Sequence, residues 1–137
     1  MIILDTNVLS ALMRPDPDEA VREWLNVQRA DEVHTTAIAV FELLAGIETL
    51  AMSRKRATLE KAFAAAMAEL EHRALPFDAH AAAAAALLVA HRRRKGRPVE
   101  FRDTQIAGIV IANNARFATF NVRHFEDLEI ELIVPRR

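Results

Sequence analysis

The 137-residue chain contains no cysteine. Disulfides and thiolate metal sites are therefore excluded, which fits a reducing cytoplasm. Glycine and proline are scarce, at three and five residues, so flexible linkers are few. Neither sign of charge dominates: 18 Lys and Arg face 19 Asp and Glu, for a formal net charge of −1. No global field draws in nucleic acid, and any such binding needs a local basic patch. No apolar run is long enough to span a bilayer. The amino terminus is apolar but lacks a basic leader and runs directly into an aspartate, unlike a secretory signal. What is present is a hydrophobic fraction of 52%. That suits a folded protein, and the length suits one domain over residues 1–137 with a real core.

The hydrophobic pattern alternates between short strands and longer helices. Ile2-Ile3-Leu4 is a continuous apolar run, as in a strand buried on both faces of a parallel sheet. Thr6 and Asn7 are placed to cap a helix through Leu9, Leu12 and Met13. Arg14 to Asp18, with two prolines, is a loop, and Asp18 caps a helix to about Gln28. Val33-His34-Thr35 reads as a second strand, and Thr36 caps a helix over about 37–51. That helix carries the stripe Val40, Leu43, Leu44, Ile47 and Leu50. A charged helical pattern covers 53–73, and Leu75-Pro76-Phe77 is briefly extended. Asp78 caps an alanine-rich helix that closes on Arg92-Arg93-Arg94-Lys95-Gly96-Arg97. Those cations complement the helix dipole, and a phosphate-tracking role is compatible with that. After a connector at 98–102, Asp103 stands at the start of a helix, as cap or first-turn residue, and the helix ends at Asn113-Asn114. Residues 116–119 and 130–134 read as further strands, followed by the tail Pro135-Arg136-Arg137. The alternation predicts an α/β fold of three layers, a mostly parallel central sheet flanked by helices.

Three carboxylates stand at comparable places in this pattern. Asp5 ends the first strand, where ligands bind in open α/β sheets. Glu42 lies off the apolar stripe of its helix, among Ile38, Ala39, Ala45 and Gly46. Asp103 begins a helix, and Asn121 follows a strand as Asp5 does. Each taken singly is also explained as a cap, a turn or a boundary residue. Carboxylates brought together repel and raise one another's pKa values, which a divalent cation relieves. All-oxygen ligands select hard ions, so Mg²⁺ or Mn²⁺ is expected.

Ile3-Leu4-Asp5-Thr6-Asn7 resembles the opening motif of PIN-domain nucleases, and more narrowly of the VapC and FitB type toxins of toxin–antitoxin pairs. Phe41-Glu42-Leu43-Leu44-Ala45-Gly46-Ile47 is similar to their second acidic motif and Asp103-Thr104-Gln105-Ile106-Ala107 to the third. Residues 118–125, Ala-Thr-Phe-Asn-Val-Arg-His-Phe, are similar to the fourth. The resemblance implies a PIN-like fold and an Mg²⁺-dependent endoribonuclease that inhibits translation. It also implies a VapB-like antitoxin as partner, a homodimer, and contact with operator DNA only through the antitoxin. Asp5, Glu42 and Asp103 would form the metal site, with Asp5 and Asp103 the direct ligands. Asn121 stands where relatives often have a fourth acid, and it would orient a water or ligate weakly. Thr6 and Thr119 would steady the site by hydrogen bonds, and His124 stands where some relatives have another aspartate.

Three other readings remain open at this point. A PIN-like module that binds antitoxin or RNA without cutting is kept alive by Asn121. A phosphatase or dehalogenase with Asp5 as nucleophile would want an aspartate where Asn7 stands. A metal-free ribonuclease would use paired histidines, but His34, His72, His80, His91 and His124 share no motif spacing.

Overall fold

The structure, a computed structural model, describes residues 1–135, so the last two positions of the expected tail lie outside the described residues. The elements run β1 (Ile2–Leu4), α1 (Thr6–Leu12), α2 (Glu19–Asn26), β2 (Val33–Thr36), α3 (Ala37–Glu48) and α4 (Arg54–Glu69). They continue β3 (Ala74–Leu75), α5 (Ala79–Arg94), α6 (Phe101–Ala112), β4 (Arg116–Ala118) and β5 (Leu132–Ile133). The sheet order is β3-β2-β1-β4-β5, and every pairing is parallel.

The apolar run of β1 puts it in the middle of the sheet. Ile2, Ile3 and Leu4 are all 0% exposed, and burying each contributes about 1.5–3 kcal/mol. Side chains alternate across the pleat. Ile2 and Leu4 therefore pack with Val8, Leu9, Val21 and Met67, on the face covered by α1 to α4. Ile3 packs with Ala81, Ile106, Phe117 and Phe125, on the face covered by α5 and α6. These are the expected three layers.

Most helix starts follow their capping residues. The side chains of Thr36, Ser53 and Asp78 accept from the N–H groups of Ala39, Arg56 and Ala81, each contact being worth about 1 kcal/mol. Two starts differ from the sequence expectation. Asp5, not Thr6 or Asn7, caps α1, accepting from the Thr6 N–H. Glu100 caps α6 and accepts from the Asp103 N–H, so α6 begins at Phe101, inside the expected connector, while Asp103 sits in its first turn, one of the two places expected of it. Helix α4 stops at Glu69, short of Arg73, because Glu71 and His72 take positive φ of 50° and 57°. That turn aims the chain into β3, which pairs at Ala74–Leu75 and leaves Pro76 outside the ladder. Gly96, at φ 67°, ends α5, and Asn114, at φ 49°, ends α6, both as their residue types suggest.

The alanine run of α5 serves close packing. A Cβ added at Gly108 of α6 would lie 2.5 Å from the Ala81 carbonyl oxygen and 2.8 Å from the Ala85 Cβ. The two helices thus meet with the Gly108 backbone against the backbone of Ala81 and the small side chain of Ala85.

Candidate active site

Strand β1 leads through α1 and α2 to β2 on one side, while β4 joins β1 on the other. Such a reversal opens a crevice beyond the carboxyl ends of the two strands. Asp5 lies there, 5% exposed. Its main-chain N–H donates to the Ala118 carbonyl at 2.9 Å, which continues the ladder between β1 and β4. One carboxylate oxygen accepts from the Thr6 N–H at 2.8 Å and the other from the Thr119 hydroxyl at 2.7 Å. The Asn121 N–H donates to that same Thr119 hydroxyl oxygen at 2.9 Å. Asn121 is tied to the rim in this way, with its residue exposed to solvent.

Glu42 reaches the crevice from α3. One of its oxygens accepts from the Thr6 hydroxyl at 3.2 Å, and the other stands 3.9 Å from the Arg102 guanidinium. Asp103 enters from the first turn of α6 and meets His124 Nδ1 at 2.7 Å. The hydrogen bonds expected of Thr6 and Thr119 are both present.

The electrostatics show that the three acids share one region. The Asp5 carboxyl is pushed up to about 6, by burial foremost and then by the charges of Asp103 and Glu42, against the hydrogen bonds from Thr119 and Thr6. Burial also raises Glu42, opposed by the Thr6 hydroxyl and Arg102, with Asp103 and Glu100 adding to the rise. The site therefore holds more negative charge than it can comfortably keep. Among the described residues, no three acidic or histidine side chains close into a ready coordination shell. Anions around a gap repel, and an ion between them would have to draw them in. The donor chemistry, carboxylate oxygen without sulfur, fits a hard dication.

Four participants were not assigned from the sequence. Arg102 and His124 each face one of the acids across the fold. Arg92, expected among the cations that close α5 and complement its dipole, is 2% exposed. Its guanidinium takes both oxygens of Asp127, at 3.0 and 3.1 Å, and also holds the Thr104 hydroxyl and the His124 carbonyl. Burial pushes the Asp127 carboxyl up, but the bonds from Arg92 and the charges of Arg92 and Arg97 outweigh it and hold Asp127 below its ordinary value. The partners lie 35 residues apart, so no local pattern marks them.

A cavity of about 410 Å³ lies along α1, α2 and α4, lined by Leu9, Leu12, Leu25, Ala66 and Leu70 with Arg22 among its polar side chains. A second hollow shares Met13, Arg14 and Pro15 with it and reaches Glu42. An apolar trough thus leads toward the acidic crevice.

Residues 2–131 match the PIN domain family. VapC ribonuclease Y4jK of Sinorhizobium fredii is 32% identical over 98% of this chain and 97% of its own length. Toxin FitB of Neisseria gonorrhoeae is 31% identical over 98% of both chains. The crystal structure of FitAcB from Neisseria gonorrhoeae superposes with a TM-score of 0.88 at 30% identity, covering 98% of each chain. A structure of FitAB bound to an IR36 DNA fragment gives 0.87 at 30% identity, over 98% of this chain and 95% of that one. With the fold, the order of the motifs and these relatives in agreement, the chain belongs to the PIN-domain family, in the group that holds the VapC and FitB proteins.

Proposed function

We propose that this chain is the toxin of a type II toxin–antitoxin pair and an Mg²⁺-dependent endoribonuclease. The observation that carries the reading is the convergence of Asp5, Glu42 and Asp103 on one crevice at the carboxyl ends of β1 and β4, with Asp5 buried and its carboxyl raised to about 6. Asp5 and Asp103 are the residues to hold Mg²⁺, or Mn²⁺ in its place, with Glu42 completing the acidic set. When bound, the ion offsets charge on the scissile phosphate and makes an attacking water more acidic. The chain's own part is positional. Thr119 and the Thr6 N–H fix the Asp5 carboxylate, and the Thr6 hydroxyl fixes Glu42. Arg102, beside Glu42, supplies a cation at the rim for an RNA phosphate. Asn121 stands ready at the rim to hydrogen-bond a water or the substrate. Among the described residues no helix is long and apolar enough to cross a membrane; a chain that cleaves cellular RNA would act in the cytoplasm.

The partner would be a VapB-like antitoxin. The apolar trough suits a hydrophobic segment of such a chain, and its end near Glu42 suits an Arg or Lys that pairs with the acids. DNA would be met only through the antitoxin. A homodimer is favoured by Phe41 and Leu44 of α3, exposed at 59% and 38%, so this part of the α3 surface is not all core. Light scattering on the isolated chain reads that state directly.

The second reading, a module that binds without cutting, rests on Asn121 in place of an acid. Purified protein incubated with total RNA separates the two. Cleavage that needs Mg²⁺ or Mn²⁺, stops in chelator and is lost in Asp5→Ala is the expected result. An intact RNA pool with the folded wild-type protein would favour the binding module. Undiminished cleavage in chelator would favour a metal-free mechanism.

A further inference from the structure

Each acid in the crevice has a donor that fixes its orientation. Asp5 has Thr119 and the Thr6 N–H, and Glu42 has the Thr6 hydroxyl. For Asp103 that donor is His124, whose Nδ1 lies 2.7 Å from Asp103 Oδ2. An ionised carboxylate only accepts, so the imidazole carries a proton on Nδ1 and donates it.

The contact is more than a chance meeting of two surface groups, although the His124 side chain is 53% exposed. Arg92 ties the two sides of it together, through the His124 backbone and the side chain of the residue after Asp103. One guanidinium nitrogen donates to the His124 carbonyl at 2.6 Å, and another to the hydroxyl of Thr104, the residue after Asp103, at 3.1 Å. Arg92 is itself locked by its two bonds to Asp127 and by near-complete burial. Thr104 is fixed further by donating to the Glu100 carbonyl at 2.9 Å. The 3₁₀ turn Val122–His124 and the first turn of α6 are thus pinned to one buried cation.

From this geometry we infer that His124 is the positioning residue of Asp103: it takes Oδ2, stops rotation of the carboxylate and leaves Oδ1 to ligate the dication. The inference rests on the nuclease reading above. A free carboxylate would sample several rotations, and ordering it at the moment of binding would cost affinity. Partners of this kind, one bond removed from the ion, typically affect metal affinity by about 10- to 100-fold. A half-exposed pair contributes little to folding, so affinity and stability should separate.

The test is a Mn²⁺ titration of the full-length chain, read by the electron paramagnetic resonance of free Mn²⁺, beside thermal unfolding without ions. His124→Ala is expected to weaken Mn²⁺ binding about tenfold or more while melting close to wild type. His124→Asn sets an amide N–H at the same distance along the side chain as Nδ1 and is expected to keep most of the affinity. His124→Gln, with its donor one bond further out, is expected to behave as Ala does. The inference is overturned if His124→Ala binds as tightly as wild type. It is overturned equally if binding tightens, because the ring would then be competing with the ion for Oδ2. A loss of affinity that tracks a matching loss of melting temperature, or that Asn fails to rescue, also overturns it. Wild-type protein that takes up no Mn²⁺ would remove the nuclease reading itself, whereas tight wild-type binding with an unaffected Ala variant removes only the role of His124.

Discussion

Asp5 ends the central strand, caps the next helix and presents a carboxylate to the crevice. The crevice needs that carboxylate ionised, and burial opposes it. A rise from 3.8 to about 6 corresponds to a folding penalty on the order of 2–3 kcal/mol once the group is charged. Below about pH 4 both folded and unfolded chains hold the proton and the penalty is absent. As pH rises through about 6 the unfolded chain has already released its proton, so stability from this group falls and the full penalty stands above that pH. In chelator, Asp5→Asn is therefore expected to be more stable than wild type at pH 8 by an amount on the order of 2 kcal/mol. The gap should close toward pH 4. Its amide can still accept from the Thr6 N–H and donate to Thr119. Urea unfolding of both proteins across that range checks this, and an Asn variant less stable than wild type at pH 8 would contradict it. Asp5, Glu42 and Asp103 were legible in the sequence because each is an acid at an element boundary or among apolar neighbours. His124 and Arg92 were not, because their contacts join residues 21 and 32 apart. Arg92 also sits in a run of five cations within six residues, where solvation is the ordinary expectation.

At the scale of elements, the pair α5 and α6 sets where Asp103 stands. The alanine-rich face of α5 has room for Gly108 and nothing larger. Gly108→Ala gains helix propensity of about 1 kcal/mol but drives a methyl group into the Ala81 carbonyl and Ala85. Overpacking of that kind costs about 1–3 kcal/mol, and the contact here is with backbone, which yields poorly. A net loss of stability is expected, with α6 displaced. A lower melting temperature for Gly108→Ala checks it, and a higher one would show that the helices part easily. The alanine run itself was legible as helix, and its role in close packing was stated only in general terms. Strands were placed to within a residue or two, except that β3 and β5 pair at two residues each. Pairing partners decide such short strands, and a sequence does not display them.

For the whole molecule, the order β3-β2-β1-β4-β5 matters more than any one element. It puts the ends of β1 and β4 side by side, so Asp5 and Thr119, 114 residues apart, share a hydrogen bond. Alternating strands and helices announced a parallel sheet, but not which strands adjoin. The family motifs supplied that indirectly, through the fold they imply. The central claim is that this topology brings the acids together to grip a hard dication. A crystal of the protein soaked in Mn²⁺ and recorded for anomalous scattering tests it most directly. The account predicts a peak in the crevice within coordination distance, about 2.0–2.3 Å, of carboxylate oxygens of Asp5 and Asp103. The peak should be absent in Asp5→Asn. A wild-type crystal at saturating Mn²⁺ with no peak there, or with its peak only at other carboxylates, would contradict it.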